Sequence, residues 1–431
     1  LVLQFNKFKR PAVATVWAEE ALEISKRELG PKHDATLERQ RRFAQTLNID
    51  GQYDRAAELL KDAIERKSPQ GDALYFGLLH DLSAIDYKLG RWSEAIPLTK
   101  QVVEYRERDL GADHPRTLAT KHQLGLALSN LGRHEAATEV LQEVAAAVET
   151  AEGLSLANRL SMQSTPLVHQ YRQGAYAEAL SGFETLYPDF IEHLGPSHPQ
   201  TITMQLSIAS AQRALGRVDE AIDNLRDVIR KREEVLGPDH EHVWHAKLGL
   251  ASALLAKGDF EQAVATAEPA VEWYIQQRGF GHHQAHRGSQ TLAYALLALE
   301  RFDEAHEVVA RWQATDADVL PELQFSAELA AAEIALGRQN LGTARERRSA
   351  AAQYLASDET SADAAGLHSL DGVLALRAGK LTEAETELNA AKQILDTQSA
   401  TLQAHQRFWA DVVTRRLNEV RRQRADASPD A

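Results

Sequence analysis

Apolar and small residues recur along the chain at helical spacing, in segments separated by short polar turns. The turns share a pattern of the type L-G-R-x-x-E-A, as in LGRWSEAIPL from Leu89 and LGRVDEAIDNL from Leu215. About four turns of helical pattern precede each of these sites, and a second amphipathic helix follows it. The pattern therefore predicts a series of antiparallel helix hairpins.

The turn positions recur at a nearly constant interval. They are predicted at Gly51, Gly90, Gly132, Gly174, Gly216, Gly258, Glu300, Gly337 and Gly379. Most steps are 42 residues long, with one step of 39 and one of 37. Self-similarity at a fixed period is typical of repeat arrays, in which hairpins bury their apolar faces by stacking on one another. The predicted fold class is all-α.

Two positions in each repeat are reserved for small residues. Five residues after the turn stand Ala56, Ala95, Ala137, Ala179, Ala221, Ala263, Ala305, Gly342 and Ala384. Seven residues before it stand Ala44, Ser83, Gly125, Leu167, Ala209, Ala251, Ala293, Ala330 and Gly372, of which all but Leu167 are small. Small side chains at both positions allow the two helices of a hairpin to approach closely. The first residues fit the same spacing, with Lys9 at the turn and Ala14 at the small position.

The turn glycine, the aromatic residue that often follows it and the small positions resemble the tetratricopeptide repeat. The 42-residue period and the connectors LGPKHDATL from Leu29 and LGADHPRTL from Leu110 resemble its kinesin-light-chain-like subtype, which is also common in bacterial signalling proteins. The resemblance implies a right-handed superhelical solenoid of about nine to ten antiparallel helix hairpins, whose first helices line a concave groove. Abundant alanine and arginine favour a bacterial source.

The sequence departs from that subtype at the cargo-binding slots. Where the family has a pair of asparagines in the first helix, this chain has Arg41-Arg42 and then His80-Asp81. The resemblance therefore implies the fold and not the cargo.

Irregularities in the repeat pattern divide the chain into four predicted segments. Residues 1–29 are predicted to be a partial first repeat of a chain truncated upstream, and 30–312 the long repeats. Residues 313–418 are predicted to be shorter-connector repeats with a capping helix, and 419–431 a polar tail. Near 151–173 a kink is expected at Pro166, because proline inside a helix costs about 3 kcal/mol or more. A local bend and a hinge both remain open there, with the bend favoured.

Composition limits the function classes. A net charge of −14 argues against a general nucleic-acid binder, which needs clustered Lys and Arg. The absence of cysteine excludes disulfides, thiol catalysis and cysteine-ligated zinc. No apolar run approaches the roughly 20 residues of a membrane span. A cytoplasmic location is favoured, and a periplasmic one stays open in case an upstream membrane segment is missing.

Histidines are the main candidates for chemistry. His33, His114, His198, His240 and His282 each stand three residues after a connector glycine. Their phase places them at or beside the N-cap of the next helix, where an imidazole nitrogen can accept an unpaired backbone N–H. Two richer clusters could be considered for metal, namely His240, His242 and His245, and His282, His283 and His286. The two clusters occupy equivalent loops of successive repeats, so we expect no metal site there. The sequence shows no phosphate-binding glycine loop, G-x-S-x-G motif or H-E-x-x-H motif, so we also expect no cofactor and no enzymatic activity.

The repeat phase also predicts which side chains line the groove. The predicted binding positions are Arg41, Gln45, Asn48, His80, Lys88, His122, Asn130, Tyr171, Arg172, Arg213, Leu248 and Tyr294. Leu206, Leu255 and Leu297 extend the apolar end. A groove that changes from polar and basic to apolar would suit an extended or helical peptide with an acidic end. The alternative is that these side chains form an ordinary solvated face.

The function expected is non-enzymatic binding of a protein or peptide. The first interpretation is the sensor or partner-binding region of a bacterial signalling protein, linked to a kinase or a transcription regulator. A second is a stand-alone receptor for a peptide pheromone, which would bind one short peptide tightly and compact on binding. A third is an assembly scaffold or secretion-system accessory protein, with a large stable partner and little change of shape.

Overall fold

The computed structural model describes residues 11–67, 72–314, 321–355, 361–398, 402 and 404–426. Throughout these residues the only regular elements are α-helices, which confirms the all-α class. They are α1 Pro11–Leu29, α2 Asp34–Ile49, α3 Tyr53–Arg66, α4 Ala73–Lys88, α5 Trp92–Leu110, α6 Pro115–Asn130, α7 His134–Thr150, α8 Leu156–Arg172, α9 Tyr176–Leu194, α10 Pro199–Ala214, α11 Val218–Leu236, α12 Glu241–Lys257, α13 Phe260–Arg278, α14 His283–Ala298, α15 Phe302–Gln313, α16 Pro321–Gly337, α17 Leu341–Tyr354, α18 Ala364–Arg377, α19 Leu381–Thr397 and α20 Ala404–Asp426. None of them is long and apolar enough to cross a membrane.

The helices pack as stacked hairpins. The even-numbered helices from α2 to α18 are the first helices, and the odd-numbered helix after each is its second helix, except that α8 and α9 belong to different compact units. First helices of successive hairpins also touch, for example α2 with α4, α12 with α14 and α14 with α16. The chain divides into two compact units, residues 1–173 (unit 1) and 174–431 (unit 2).

Small residues are buried where the repeat phase predicts close helix approach. Ala56, Ala95, Ala137, Ala179, Ala221, Ala263, Ala305 and Ala384 are all 0% exposed. On the facing helix, a Cβ at Gly125 would lie only 2.5 Å from Leu141 Cδ2, so a larger residue there would separate the two helices. The prediction of tightly packed hairpins is confirmed, and Ala14 is also fully buried, whereas Lys9 lies outside the described residues.

One predicted turn lies at a different residue. Gly337 is the last residue of α16, and the backbone reverses at Gln339, whose φ is +58°. Ala344, which is 0% exposed, then takes the small position assigned to Gly342. Gly337 is small for another reason, because a Cβ there would overlap the Phe302 ring. Because glycine adopts the left-handed conformation most readily, the repeat pattern predicts the turn at Gly337, two residues before the residue at which the backbone reverses.

The connector histidines cap the first helices, as their phase predicts. In each case Nδ1 accepts the backbone N–H two residues later, at distances of 3.1–3.3 Å. The pairs are His33 with Ala35, His114 with Arg116, His198 with Gln200, His240 with His242 and His282 with Gln284. These histidines satisfy helix ends that would otherwise leave N–H groups unpaired.

Replacing His114 by alanine should lower the free energy of unfolding by about 1 kcal/mol, because the N–H of Arg116 loses its acceptor. Chemical denaturation followed by circular dichroism measures this loss. His114→Asn is the matched control, since asparagine is itself a good N-cap and should retain most of the stability. Equal losses in the two variants would contradict the capping role.

The C-terminal part of the chain differs from the predicted arrangement. The boundary expected at 418/419 falls inside α20, which continues to Asp426. Leu417 is 2% exposed and Val420 is 0% exposed, so residues on both sides of that boundary belong to the core. The predicted kink at Pro166 lies within α8, a continuous helix that ends one residue before the boundary between the units. A hinge there remains a prediction.

Candidate functional site

The inner face of unit 1 is the face formed by its first helices, α2, α4, α6 and α8. The structure places nine predicted groove residues on these helices: Arg41, Gln45, Asn48, His80, Lys88, His122, Asn130, Tyr171 and Arg172. Several of them bond to a side chain on the next first helix, so neighbouring hairpins are joined by polar bridges. The bridges occur at two levels, one in the middle of the helices and one at their C-terminal ends.

Asp81 is the centre of the middle level. It accepts hydrogen bonds from Arg41 Nε at 2.8 Å and from Gln45 Nε2 at 2.6 Å, both across the gap between α2 and α4. Its side chain is only 13% exposed. Burial by itself would raise the pKa of Asp81, but the hydrogen bonds from His80 and Arg41 hold it below its usual value. Asp81 is therefore an ionised, paired carboxylate.

Two residues of this level were not among the predicted site residues. Asp81 could have been found, because it follows an inward histidine and lies one repeat from two predicted inward donors. Gly77 on α4 gave no signal in the repeat pattern. A Cβ at Gly77 would lie 2.7 Å from Arg41 Nη1, so this glycine lets the guanidinium of Arg41 rest against the α4 backbone.

The second level holds two exposed cations at helix C-termini. Lys88 Nζ donates to Asn48 Oδ1 at 2.8 Å, and Arg172 Nη1 donates to Asn130 Oδ1 at 3.1 Å. Asn130 in turn donates to the Tyr87 hydroxyl at 3.2 Å. Both cations bond to neutral amides, which hold the side chains in place without neutralising their positive charge. Their location also suits the negative end of the helix dipole.

A further arginine adds positive charge near the middle level. Arg106 on α5 donates through Nη1 to the Arg116 carbonyl at 3.1 Å and to the Thr120 hydroxyl. Burial and then the charge of Arg116 lower the pKa of Arg106, whereas Asp81 acts in the opposite direction. The charge of Arg41 also lowers the pKa of Arg106. Arg106 thus adds a second guanidinium to the surroundings of Asp81, beside that of Arg41.

His122 contributes no positive charge to this face at neutral pH. Its Nε2 lies 2.8 Å from the Thr165 hydroxyl on α8, and burial lowers the pKa of His122 to about 4. The imidazole is therefore a neutral bridge between α6 and α8.

Acidification should weaken unit 1 through this histidine. In the unfolded chain His122 has a pKa of about 6.5, so between about pH 6.5 and pH 4 the unfolded state binds a proton that the folded state does not. The free energy of unfolding therefore falls as the pH decreases through that interval. Urea titrations across the interval measure the slope, and His122→Gln should make it shallower. An unchanged slope would contradict the assignment.

In unit 2 the predicted groove wall is covered. Tyr294 is 0% exposed, and the rings of Phe408 and Trp409 on α20 lie 5.2 and 6.1 Å from its ring. Leu248, 7% exposed, packs in a cluster with Val271 and Tyr274. Leu248 therefore lies between helices and Tyr294 lies under α20, so neither side chain faces solvent, and their role as binding positions stays a prediction.

Other predicted residues of unit 2 also lie near α20. Arg213, at the end of α10, is half-buried, and its charge helps to lower the pKa of Arg407 after the larger effect of burial. Leu255 and Leu297 belong to the same apolar cluster as Phe408 and Trp409, and Leu206 packs against that cluster. Periodicity identified these positions, but it could not show which segment covers them.

The two histidine clusters do not form a metal centre. Across the described ranges, no group of three or more His, Asp or Glu side chains is arranged to hold a metal ion. His240 and His282 use Nδ1 in capping, and burial followed by the charge of Arg232 lowers the pKa of His245 to about 4.

Comparison with known proteins identifies the repeats. A family model described as tetratricopeptide repeat matches residues 6–68, 75–150 and 203–272. The comparison with curated proteins found no match to the chain. The matching family is one of helical repeats and indicates no catalytic activity.

The solved structures that are similar to the chain share little sequence with it. It is similar to the Signal Transduction ATPase with Numerous Domains protein with a tetratricopeptide repeat sensor, PH0952 from Pyrococcus horikoshii, at 14% identity and a TM-score of 0.52 over 80% of this chain and 52% of that one. A Rap protein complexed with Competence and Sporulation Factor gives 12% identity and a TM-score of 0.48 over 91% of this chain and 99% of that one. A structure described as a putative kinesin light chain from Podosopora anserina gives 24% identity and a TM-score of 0.29 over 57% of this chain and 99% of that one.

The stacked hairpins, the buried small positions and the matched segments agree with one another. The chain therefore carries tetratricopeptide repeats over residues 6–68, 75–150 and 203–272.

Proposed function

We propose that unit 1 is a protein-binding module that captures an acidic segment on its inner face. The observation that carries the proposal is the pair of exposed cations, Lys88 and Arg172, held by the amides of Asn48 and Asn130. Their charges are available to a ligand, whereas the charge of Arg41 is already matched by Asp81. An acidic segment would supply the carboxylates that this level lacks.

Fixed cations favour binding for two physical reasons. Hydrogen bonds from cations to carboxylates are shorter and stronger than those between neutral groups. Side chains that are already held in place lose less conformational entropy when a ligand arrives. The neutral amides of Asn48 and Asn130 therefore prepare Lys88 and Arg172 for a carboxylate without competing electrostatically with it.

In a cell this binding fits the sensor or partner-binding region of a signalling protein. Two other uses of the same face are a stand-alone receptor for a peptide pheromone and an assembly scaffold. A receptor would bind one short peptide and compact, whereas a scaffold would keep a large partner with little change of shape. Small-angle scattering with and without the captured ligand separates these cases.

The test uses Lys88→Glu/Arg172→Glu in the full chain, together with an array of synthetic peptides graded in Asp and Glu content. The matched control is Arg27→Glu/Arg108→Glu, which makes the same charge change at exposed positions on α1 and α5, neither of which is a first helix. Wild type and control should bind the acidic peptides, more weakly as salt rises, and the groove variant should lose at least tenfold in affinity. Equal binding by both variants would show that this face is not the site.

A further inference from the structure

Helix α20 makes contacts that its place in the chain does not explain. It packs on α19 and α18, its neighbours in sequence, and also on α12 and α14. The other substantial helix contacts in the described part of the chain join helices no more than two positions apart. Helix α20 therefore lies along the inner face of unit 2, which is formed by the first helices α10 to α18.

The buried face of α20 is strongly apolar. Its buried apolar residues are Phe408, Trp409, Val412, Val413, Leu417 and Val420. Trp409 is 1% exposed and stands beside Gly366 of α18, where a Cβ would lie 3.2 Å from the indole Cε2. Tyr294 of α14 meets both aromatic rings of α20. The surface that α20 covers, which we call its seat, thus accommodates an adjacent pair of aromatic side chains.

Polar groups of the face fix the position of the helix. Arg416 donates to Glu333 Oε2 of α16 at 2.5 Å and to the Ser369 hydroxyl of α18 at 2.7 Å. The side chains of Arg416 and Glu333 are only 15% and 10% exposed. At the ends of the helix, Gln406 donates to Asp363 at 2.8 Å and Arg424 pairs with Glu385. The basic helix α20 is therefore paired with carboxylates of the helices around it, of which Glu333 lies on the inner face.

The residues that receive α20 occupy the inward positions of their repeats. Tyr294 and Glu333 each stand six residues before the turn of their hairpin, as Gln45 does in unit 1. Ser369 stands ten residues before its turn, as Arg41 and His80 do. Helix α20 thus contacts the same repeat positions that form the inner face of unit 1, and it lies where a ligand of that face would lie.

We propose that the inner face of unit 2 is a second binding surface, specific for a basic amphipathic helix, and that α20 is its resident occupant. The partner is a helix with the α20 pattern: an aromatic pair, two apolar residues three and four positions after the second aromatic, and an arginine seven positions after it. This is helix-in-groove recognition, with anchors at helical spacing. The partner takes the surface by displacing α20. The proposal concerns unit 2 and does not rest on acidic-segment binding by unit 1.

The first experiment measures exchange of the helix on the full chain. The probe is a fluorescein-labelled synthetic peptide of residues 402–426, and the variant is Arg416→Glu, which places a second carboxylate beside Glu333 and weakens the seat of α20. An intramolecular helix competes at high effective concentration, so the peptide should bind Arg416→Glu at least tenfold more tightly than wild type. Arg421→Glu, at an exposed position of α20, should behave like wild type. A peptide carrying the same Arg416→Glu change should not bind.

Equal peptide binding by Arg416→Glu and wild type would overturn the proposal. So would loss of structure in Arg416→Glu beyond α20, because α20 would then be an inseparable part of the core. Amide hydrogen exchange, measured by mass spectrometry on the wild-type chain, tests independently whether α20 opens while the rest of unit 2 stays folded. Amides of 408–420 should exchange at least tenfold faster than those of α16 and α18, through opening of α20 alone. Equal protection of all three helices would mean that α20 leaves only on global unfolding, and would overturn the proposal.

Discussion

Replacing Trp409 by alanine is expected to lower the free energy of unfolding of unit 2 by about 3–5 kcal/mol. Trp409 is 1% exposed and is among the largest fully buried side chains in the described residues. It packs in the cluster that joins α20 to the first helices, and its ring approaches those of Phe408 and Tyr294. Removing it deletes both the buried apolar area and the contacts of its neighbours.

The matched control is Trp17→Ala, because Trp17 on α1 is 53% exposed. Surface substitutions of this kind change stability by about 0.5 kcal/mol or less. Urea unfolding followed by circular dichroism compares the two variants. Similar small losses in both would mean that α20 contributes little to unit 2 and that its seat is wrongly assigned.

Replacing Asp81 by alanine is expected to lower the free energy of unfolding of unit 1 by about 2–4 kcal/mol. The substitution leaves Arg41 and Gln45 without the acceptor that joins α2 to α4. The half-buried guanidinium of Arg41, whose charge also acts on Arg106, then keeps only the more exposed carboxylate of Glu38 at 3.6 Å. Loss of one partner of a largely buried pair costs more than the pair itself contributes, because the remaining charge stays desolvated.

Asp54→Ala is the control for this effect, since it removes the same group from an exposed pair. The Asp54 side chain is 72% exposed and accepts from Arg91 at 2.6 Å. Exposed pairs of this kind contribute about 0–1 kcal/mol. Denaturant titration of both variants should therefore separate them clearly, and a loss for Asp81→Ala no larger than that for Asp54→Ala would refute the central role of Asp81.

Local features of the fold could be predicted from the sequence because their causes lie within one repeat. Alanine five residues after a turn marks close helix packing, and a histidine three residues after a connector glycine marks an N-cap. Both were found as predicted at Ala137 and His114. The turn at Gln339 was missed because a non-glycine residue adopts the left-handed conformation there, while the nearby Gly337 is required by Phe302.

Features that depend on segments far apart in the chain could not be predicted in this way. The periodicity of α20 indicates an amphipathic helix and does not specify what its apolar face contacts. Tyr294 was therefore predicted to face an open groove, although Phe408 and Trp409 cover it. The spacing of about one repeat between Asp81 and its partners Arg41 and Gln45, 40 and 36 residues away, indicates that they could meet, but the local pattern does not show that these side chains bond to one another.

The amide–cation bonds of unit 1 also have a mechanical consequence. Each bond joins the C-terminal ends of first helices in different hairpins, as Asn48 with Lys88 and Asn130 with Arg172. They act as cross-braces, so the elastic stiffness of the stack depends on whether the cations keep their amide partners. A ligand carboxylate that binds Lys88 and Arg172 where the amides hold them would add a contact to each brace and stiffen the array at the place where the ligand is held. Occupancy of the site would then be readable as a change in the compliance of the array.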